Sequence, residues 1–162
     1  MTPGQTLDDL FRTNLAKAIQ GQQDGGECRL VAYLADGRMA ATVNLFRISR
    51  GAFHCAYAGW PVNAEVAGQG LCTEAVAAAL DYAFAPAPMG LALHRVQANI
   101  IPDNVASVRV AEKNGFRAEG LGLKYLLIAG QWQDHRFYAK LTDEHVLRYL
   151  PPESSAAAPP AA

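Results

Sequence analysis

The stretch AEVAGQGLCTEAVAAALDYAF, residues 64 to 84, joins a Gly-x-Gly pair directly to a long apolar run at helical spacing. The recurrence of apolar side chains along one face predicts a helix over residues 70 to 84. The first four backbone N–H groups of a helix lack internal partners, and the helix dipole attracts negative charge to that end. The junction therefore fits either a plain turn or a cradle for an anion.

The glycines favour the anion, because Gly68 and Gly70 lack the side chains that would keep a bulky phosphate from the backbone. The loop is not a Walker motif, since no Gly-Lys-Ser/Thr follows it, and Thr73 stands where the dinucleotide fingerprint has its third glycine. The candidate donors are the backbone N–H groups of Gln69, Leu71, Cys72 and Thr73, with the Thr73 hydroxyl. Such a loop can hold a pyrophosphate without a basic residue.

The amino-acid composition limits the classes of protein to which this chain can belong. The chain has 162 residues, 51% hydrophobic and 18% charged, with a formal net charge of −1. These values predict one globular domain over residues 1 to 150 and argue against a nucleic-acid partner. No run is long enough to span a membrane, and the N-terminus lacks the pattern of a signal peptide, so we expect a cytoplasmic protein. The tail PPESSAAAPPAA, residues 151 to 162, is predicted to be disordered.

Three cysteines, Cys28, Cys55 and Cys72, are widely spaced and form no C-x-x-C pair. We interpret them as reduced thiols and expect no metal site. For Cys72, which lies on the glycine loop, an incidental thiol is favoured over an acyl-cysteine.

The remaining periodicity predicts an α+β, or mixed α/β, domain with a largely antiparallel sheet. Asp36-Gly37 and Ala129-Gly130-Gln131 are typical of hairpin turns. Asn104 and Gly115 are candidate caps at the two ends of a helix. The predicted strands cover residues 28–34, 38–46, 52–62, 94–101, 116–128 and 132–141, and the predicted helices follow Thr6, cover 70–84 and 105–115, and follow Thr142 as far as residue 150.

A second motif, HRVQANIIPDNVASVRVAEKNGF, places Asn104 and Ser107 at the start of the later helix. Together with VAGQGL, it resembles the GNAT N-acetyltransferase superfamily, whose glycine-rich loop holds the coenzyme A pyrophosphate. The stretches FRISRGAFHCAYAGWPV and KYLLIAGQWQDHRFYAKL resemble the Rim-type subgroup, most closely its ribosomal protein S5-alanine type. The resemblance covers residues 28 to 142. It implies the GNAT fold, with splayed central strands, and acetyl-CoA as co-substrate without a metal.

The sequence departs from the family pattern at two places. Residue 67 is Ala, where the family usually has Gln or Arg. The family normally opens with a strand and a helix, whereas this chain begins about where the second helix is expected. Strand edges exposed by such a shortened start favour association, so we predict a homodimer.

The resemblance also implies roles for individual residues. The coenzyme is expected between two parallel strands that splay apart, with Trp60 and Val62 of one wall and Asn99 of the other contacting it. Asn104 is expected to cap its helix and to contact the cofactor. Ser107 is the candidate donor to the departing thiolate, with a role as an ordinary small helix residue as the alternative. The same set of cofactor-binding candidates includes Gly68, Gln69, Gly70, Leu71, Cys72 and Thr73.

No general base is evident in the sequence. Glu65 is the catalytic candidate beside Ser107, and His54 is another candidate near the cleft. Each is more typical of a structural or solvated side chain. For Asp134 and His135 a mutual structural contact is expected, and Trp132 and Tyr125 are predicted to be core residues or walls of an acceptor pocket.

Three functions are consistent with the sequence. The first is acetyl transfer from acetyl-CoA to a primary amine, the N-terminal amine of a protein. The second is the same chemistry on a small amine such as a polyamine, an amino acid or an antibiotic. The third is a coenzyme-binding module without catalysis, and an interaction domain with an empty loop is a further alternative that predicts no cofactor binding.

Overall fold

The computed structural model describes residue 16 and residues 19–148, and it builds them around a six-stranded sheet. The strands are β1 (Glu27–Tyr33), β2 (Met39–Ser49), β3 (Cys55–Gly59), β4 (Arg95–Ile100), β5 (Arg117–Ile128) and β6 (Gln131–Leu141). The helices are α1 (Leu71–Phe84) and α2 (Val105–Lys113), and two 3-10 turns cover Ala64–Val66 and Thr142–Glu144. Residues 19–23 are also helical.

The centre of the sheet combines one parallel pair with antiparallel neighbours. The strand order is β1-β2-β3-β4-β6-β5, with β3 and β4 parallel and every other adjacent pair antiparallel. Pairing between β3 and β4 starts at Cys55–Arg95 and, among the described residues, ends at Tyr57–Gln97. The last residues of β3 and β4 therefore diverge and leave a gap at the middle of the sheet.

One face of the sheet carries the core. Side chains alternate between the two faces of a strand, and the alternate residues of β2, β3 and β4 that face α1 are buried. Apolar residues of α1 recur at helical spacing and pack against them. The shared cluster includes Val43, Leu45, Ala56, Ala58, Val76, Leu80, Phe84, Val96 and Ala98.

A buried carboxylate anchors the segment after β6 to α1. Asp81 is fully buried within α1, and its Oδ1 lies 2.7 Å from His145 Nε2. The backbone N–H of Arg148 donates to Asp81 Oδ2 at 2.6 Å. A buried charge without such partners is costly, so this contact fixes the course of the chain beyond the sheet.

The predicted helices and strands are largely confirmed. The helix predicted from residue 70 begins at Leu71 and ends at Phe84, as expected. The strand predicted over residues 52–62 is shorter, at Cys55–Gly59, with Val62 forming an isolated bridge to Ala41. The helix predicted after Thr6 lies mostly outside the described residues, as does the tail from residue 151.

The helix predicted after Thr142 is wrong. A single 3-10 turn forms over Thr142–Glu144, and residues 145–148 are not helical. The Glu144 carboxylate turns back to accept the Leu141 N–H at 3.0 Å, and the next segment is held by Asp81. Tertiary hydrogen bonds therefore override the local helical pattern.

Candidate active site

The glycine loop forms one wall of a cleft between the start of α1 and one face of α2. The cleft has a volume of about 250 Å³. It is lined by Trp60, Val62, Val66, Ala67, Gly68, Gly70, Leu71, Cys72, Thr73, Ala106, Ser107, Arg109, Val110 and Lys113. We call it the loop cleft.

The backbone of the loop depends on its glycines. Gly68 has φ +81° and Gly70 has φ +86°, values that L side chains adopt only with strain. A Cβ built at either position meets nothing within 4 Å, so the space above the loop is open. Gly70 is the N-cap of α1 and forms no side-chain cap hydrogen bond. The N–H groups of the first turn are therefore available to a ligand that enters the cleft.

The start of α2 is capped by the side chain of its N-cap residue, Asn104. Asn104 Oδ1 accepts the Ser107 N–H at 3.1 Å, which confirms the predicted cap. This bond holds the first turn of α2, so that Ser107 lines the loop cleft and a second cleft as well.

The second cleft lies where β3 and β4 diverge, and we call it the strand cleft. Its volume is about 190 Å³. It is lined by Ala58, Gly59, Trp60, Asn99, Ile100, Ile101, Asn104, Ser107 and His135. Trp60 and Ser107 line both clefts, so a long, narrow ligand can extend from the loop cleft into the gap between the strands.

An unpaired donor lies in the wall that the two clefts share. The indole Nε1 of Trp60 is buried and has no hydrogen-bond partner among the described residues, while the side chain is 8% exposed. Buried donors are almost always paired in native proteins, so this N–H fits a ligand with acceptor groups along its length. The amide-bearing arm of coenzyme A carries such acceptors, and its pyrophosphate suits the open first turn of α1.

Two basic residues that the sequence reasoning missed line the loop cleft. Arg109 and Lys113 belong to α2 and face the glycine loop with Ala106 and Val110. Neither forms a salt bridge to a residue in the described part of the chain. The spacing of residues 106, 109, 110 and 113 is that of one helical face, and this was the signal that could have identified them.

A buried amide joins the two helices that form the loop cleft. Asn114, which is 5% exposed, donates from Nδ2 to the Thr73 carbonyl at 3.2 Å and to the Val110 carbonyl at 2.9 Å. The end of α2 is thus fixed to the start of α1, and the width of the cleft does not depend on surface contacts.

Three candidates from the sequence do not line either cleft. Gln69 lies in the loop, but its side chain is exposed to solvent. Glu65 lies on the 3-10 turn, its side chain is 71% exposed, and it forms a surface ion pair with Arg38 at 3.4 Å. His54 Nε2 lies 3.4 Å from Arg50 Nη1. None of these side chains is placed to act on a group between the strands.

Cys72 lines the loop cleft, but it is not activated. Burial raises the pKa of the Cys72 thiol, and its Sγ donates weakly to the Trp60 carbonyl at 3.9 Å. A thiol, rather than the nucleophilic thiolate, is therefore favoured at neutral pH. Cys28, Cys55 and Cys72 are all free, as expected.

Two expectations for the last hairpin need correction. Asp134 and His135 do not contact each other: the Asp134 carboxylate accepts the Lys124 N–H at 2.7 Å, whereas His135 is buried beside the strand cleft. Consecutive residues of a strand point to opposite faces, which separates the two side chains. Trp132 is 61% exposed near the hairpin turn, so it is not a core residue, and its alternative role as a wall of an acceptor pocket stays a prediction.

Comparison with known proteins settles the family. A model described as the acetyltransferase (GNAT) domain matches residues 1–117. The chain belongs to the GNAT acetyltransferase family. Its six-stranded mixed sheet, with helices packed on it and the central strands splayed, is the GNAT fold.

Among curated GNAT relatives, the chain is 42% identical over 110 residues to the probable N-acetyltransferase YjcK of Bacillus subtilis, covering 68% of this chain and 59% of that protein. It is 37% identical over 101 residues to the [ribosomal protein uS5]-alanine N-acetyltransferase of Escherichia coli, covering 62% of this chain and 50% of that protein. The chain thus spans between half and three-fifths of the length of these relatives.

A solved GNAT structure extends the comparison. RimJ of Mycobacterium smegmatis in complex with CoA-disulfide superposes with a TM-score of 0.78 at 28% identity, covering 89% of this chain and 68% of that one. In the described part of this chain, no helix is long and apolar enough to cross a membrane. Within the same residues, no group of three or more His, Cys, Asp or Glu side chains is placed to hold a metal ion.

Proposed function

We propose that this chain transfers an acetyl group from acetyl-CoA to a primary amine. The observation that carries the proposal is that the loop cleft and the strand cleft meet at Trp60 and Ser107. A phosphate-binding helix start and an opening between two strands lie at the two ends of one path, which matches a ligand with phosphates at one end and a thioester at the other.

The loop cleft binds the pyrophosphate. The open first turn of α1 supplies N–H donors, and Arg109 and Lys113 supply positive charge from the facing helix. Because both glycines leave the space above the loop empty, the phosphates approach the backbone directly.

The strand cleft positions the acetyl group. Beyond Tyr57 and Gln97 the backbone groups of β3 and β4 no longer pair with each other, so they are free to hold the pantetheine arm between them. The Pro61 carbonyl and the Asn63 N–H bond to β2, so backbone alternation turns the N–H groups of Trp60 and Val62 away from β2, which leaves them as donors on the β3 side of the gap. Such donors polarise the thioester carbonyl, and the Ser107 hydroxyl donates to the departing sulfur.

We propose the N-terminal amine of a protein as the acceptor. The support is the 37% identity to the uS5-alanine N-acetyltransferase of Escherichia coli, whose name specifies a ribosomal protein. Small amines remain the alternative outcome of an acceptor screen.

Calorimetric titration with acetyl-CoA tests the site through a pair of matched variants. Gly70→Glu places a long, charged side chain above the loop, so we expect at least a hundredfold loss of affinity. Gly37→Glu is the control, because Gly37 has the same φ of +86° and the same open surroundings but lies in the β1–β2 turn. Both variants carry the same backbone strain, and only the first obstructs the cleft.

The acceptor is then found by mass spectrometry, with peptides carrying free N-terminal amines and a panel of polyamines. Acetylation at the peptide α-amine supports the proposal. Binding of acetyl-CoA without transfer to any amine would instead favour a coenzyme-binding module. Equal loss of affinity in both glycine variants, or no binding by the parent chain, would refute the cofactor site.

A further inference from the structure

His135 is a buried imidazole that reaches the strand cleft from β6. The side chain is 3% exposed and lines the cleft together with Ser107 and Asn99. It is therefore placed at the end of the path where the reacting groups are expected, unlike Glu65 and His54.

The hydrogen bond of His135 fixes which ring nitrogen carries the proton. Nδ1 lies 3.1 Å from the carbonyl oxygen of Gln133, and a carbonyl can only accept. Nδ1 must therefore be the donor, and Nε2 of the neutral ring holds a lone pair. Among the described residues Nε2 forms no hydrogen bond, and the His135 side chain lines the strand cleft.

The surroundings of His135 are neutral. From β5 it faces Tyr125, whose ring centroid lies 5.7 Å away, and the Tyr125 hydroxyl accepts from Asn99 Nδ2 at 3.2 Å. From α2 it faces the uncharged side chains of Asn104 and Ser107. No carboxylate and no cation among the described residues lines the strand cleft.

A glycine makes this arrangement possible. Gly122 pairs with His135 across the β5–β6 ladder. A Cβ at Gly122 would lie 2.6 Å from Phe137 Cζ and 3.1 Å from Tyr125 Cδ2, so glycine at this position leaves room for Tyr125 to lie against both Phe137 and His135. Residues of both β5 and β6 therefore form the pocket around His135.

We propose that His135 accepts the proton of the acceptor amine, an inference that rests on the proposed acetyl transfer. Nε2 takes one proton from the ammonium, directly or through one water, and leaves a neutral amine with its lone pair. The nitrogen attacks the thioester carbonyl carbon, forming the C–N bond, and the C–S bond breaks as its electron pair leaves with sulfur. The second nitrogen proton reaches the thiolate through Ser107, and the imidazolium returns its proton to solvent.

The test compares His135→Asn with His94→Asn. The amide nitrogen of the introduced side chain can replace Nδ1 as donor to the Gln133 carbonyl, so the variant keeps the anchoring bond and removes the proton acceptor. His94 is exposed and lies outside both clefts, which makes it the matched control. Acetyl transfer to the best amine from the acceptor screen is measured from pH 5.5 to 9.5, alongside the Kd for acetyl-CoA.

For His135→Asn we expect kcat to fall by about a hundredfold or more at pH 7, with the Kd for acetyl-CoA changed by less than twofold. The deficit should narrow as the pH rises and more of the amine is neutral in solution, and added imidazole should restore part of the rate. His94→Asn should match the parent chain. A deficit that is constant across the pH range would overturn the proposal, since a structural role predicts that result.

Nitrogen NMR gives a readout that does not need activity. The neutral His135 ring should carry its proton on Nδ1, and a proton on Nε2 would contradict the inference. A parent chain that binds acetyl-CoA and acetylates no amine would refute the proposed function itself. A failure that is confined to the His135 variant concerns this inference alone.

Discussion

The two helices that face each other across the loop cleft begin in opposite ways. α1 begins at a glycine in the left-handed region, with no side chain to cap it. α2 begins at Asn104, whose side chain accepts the Ser107 N–H. The first turn of α1 lines the loop cleft and presents its N–H donors to a ligand, whereas the start of α2 uses its own side chain, Asn104, which lines the strand cleft.

The uncapped start of α1 suits the binding of a ligand, whereas the capped start of α2 suits structural support. A helix start without a cap lacks a stabilising contact of about 1 kcal/mol, which a bound phosphate can replace. The cap holds the first turn of α2 in the absence of ligand. Ser107, which lines both clefts, needs this fixed position.

Removing positive charge opposite the open start of α1 should weaken cofactor binding. We expect Lys113→Ala to raise the Kd for acetyl-CoA about tenfold, or about 1.4 kcal/mol, and to weaken the dependence of the Kd on salt. Arg136→Ala is the control, since Arg136 is exposed on β6 outside both clefts. Calorimetry at two salt concentrations measures both effects, and equal losses in the two variants would show that α2 does not face the phosphates.

Removing the cap of α2 should reduce stability rather than phosphate binding. We expect Asn104→Ala to lower the free energy of unfolding by about 1 kcal/mol, measured by urea denaturation. Asn104→Asp keeps an acceptor for the Ser107 N–H and should retain most of the stability. If Asn104→Asp is as unstable as Asn104→Ala, the cap is not what holds the first turn.

The smallest effect should come from the exposed Glu74 in the first turn of α1. The negative charge of its carboxylate interacts favourably with the dipole of α1 but repels a bound phosphate. We expect Glu74→Gln to lower the unfolding free energy by about 0.5 kcal/mol while tightening acetyl-CoA binding slightly. A thermal shift with and without acetyl-CoA separates the two contributions, and weaker acetyl-CoA binding by Glu74→Gln would contradict an anion at this start.

The sequence could predict α1, α2 and the positions of the strands along the chain because glycines, caps and periodicity act locally. Residues 70 and 104 were correctly assigned to helix starts for that reason. The turn after Thr142 could not be predicted, since its course depends on Asp81, which lies some sixty residues earlier in the chain.

The glycine loop that lines the loop cleft could also be predicted from the sequence, whereas the rest of the candidate site could be predicted only in part. Arg109 and Lys113 were missed although their helical spacing was visible. His135 was paired with Asp134 because the two are adjacent, but strand alternation places them on opposite faces. That the imidazole reaches the strand cleft depends on the partner strands, which only the folded structure reveals.

The hydrogen bonds of Asp81 limit where the domain can be truncated. A fragment ending at Leu141 would contain all six strands, yet it would remove His145 and Arg148, whose groups hydrogen-bond to the buried Asp81 carboxylate. Loss of these partners would destabilise α1, whose first turn lines the loop cleft. A fragment that preserves the site should therefore extend at least through Arg148.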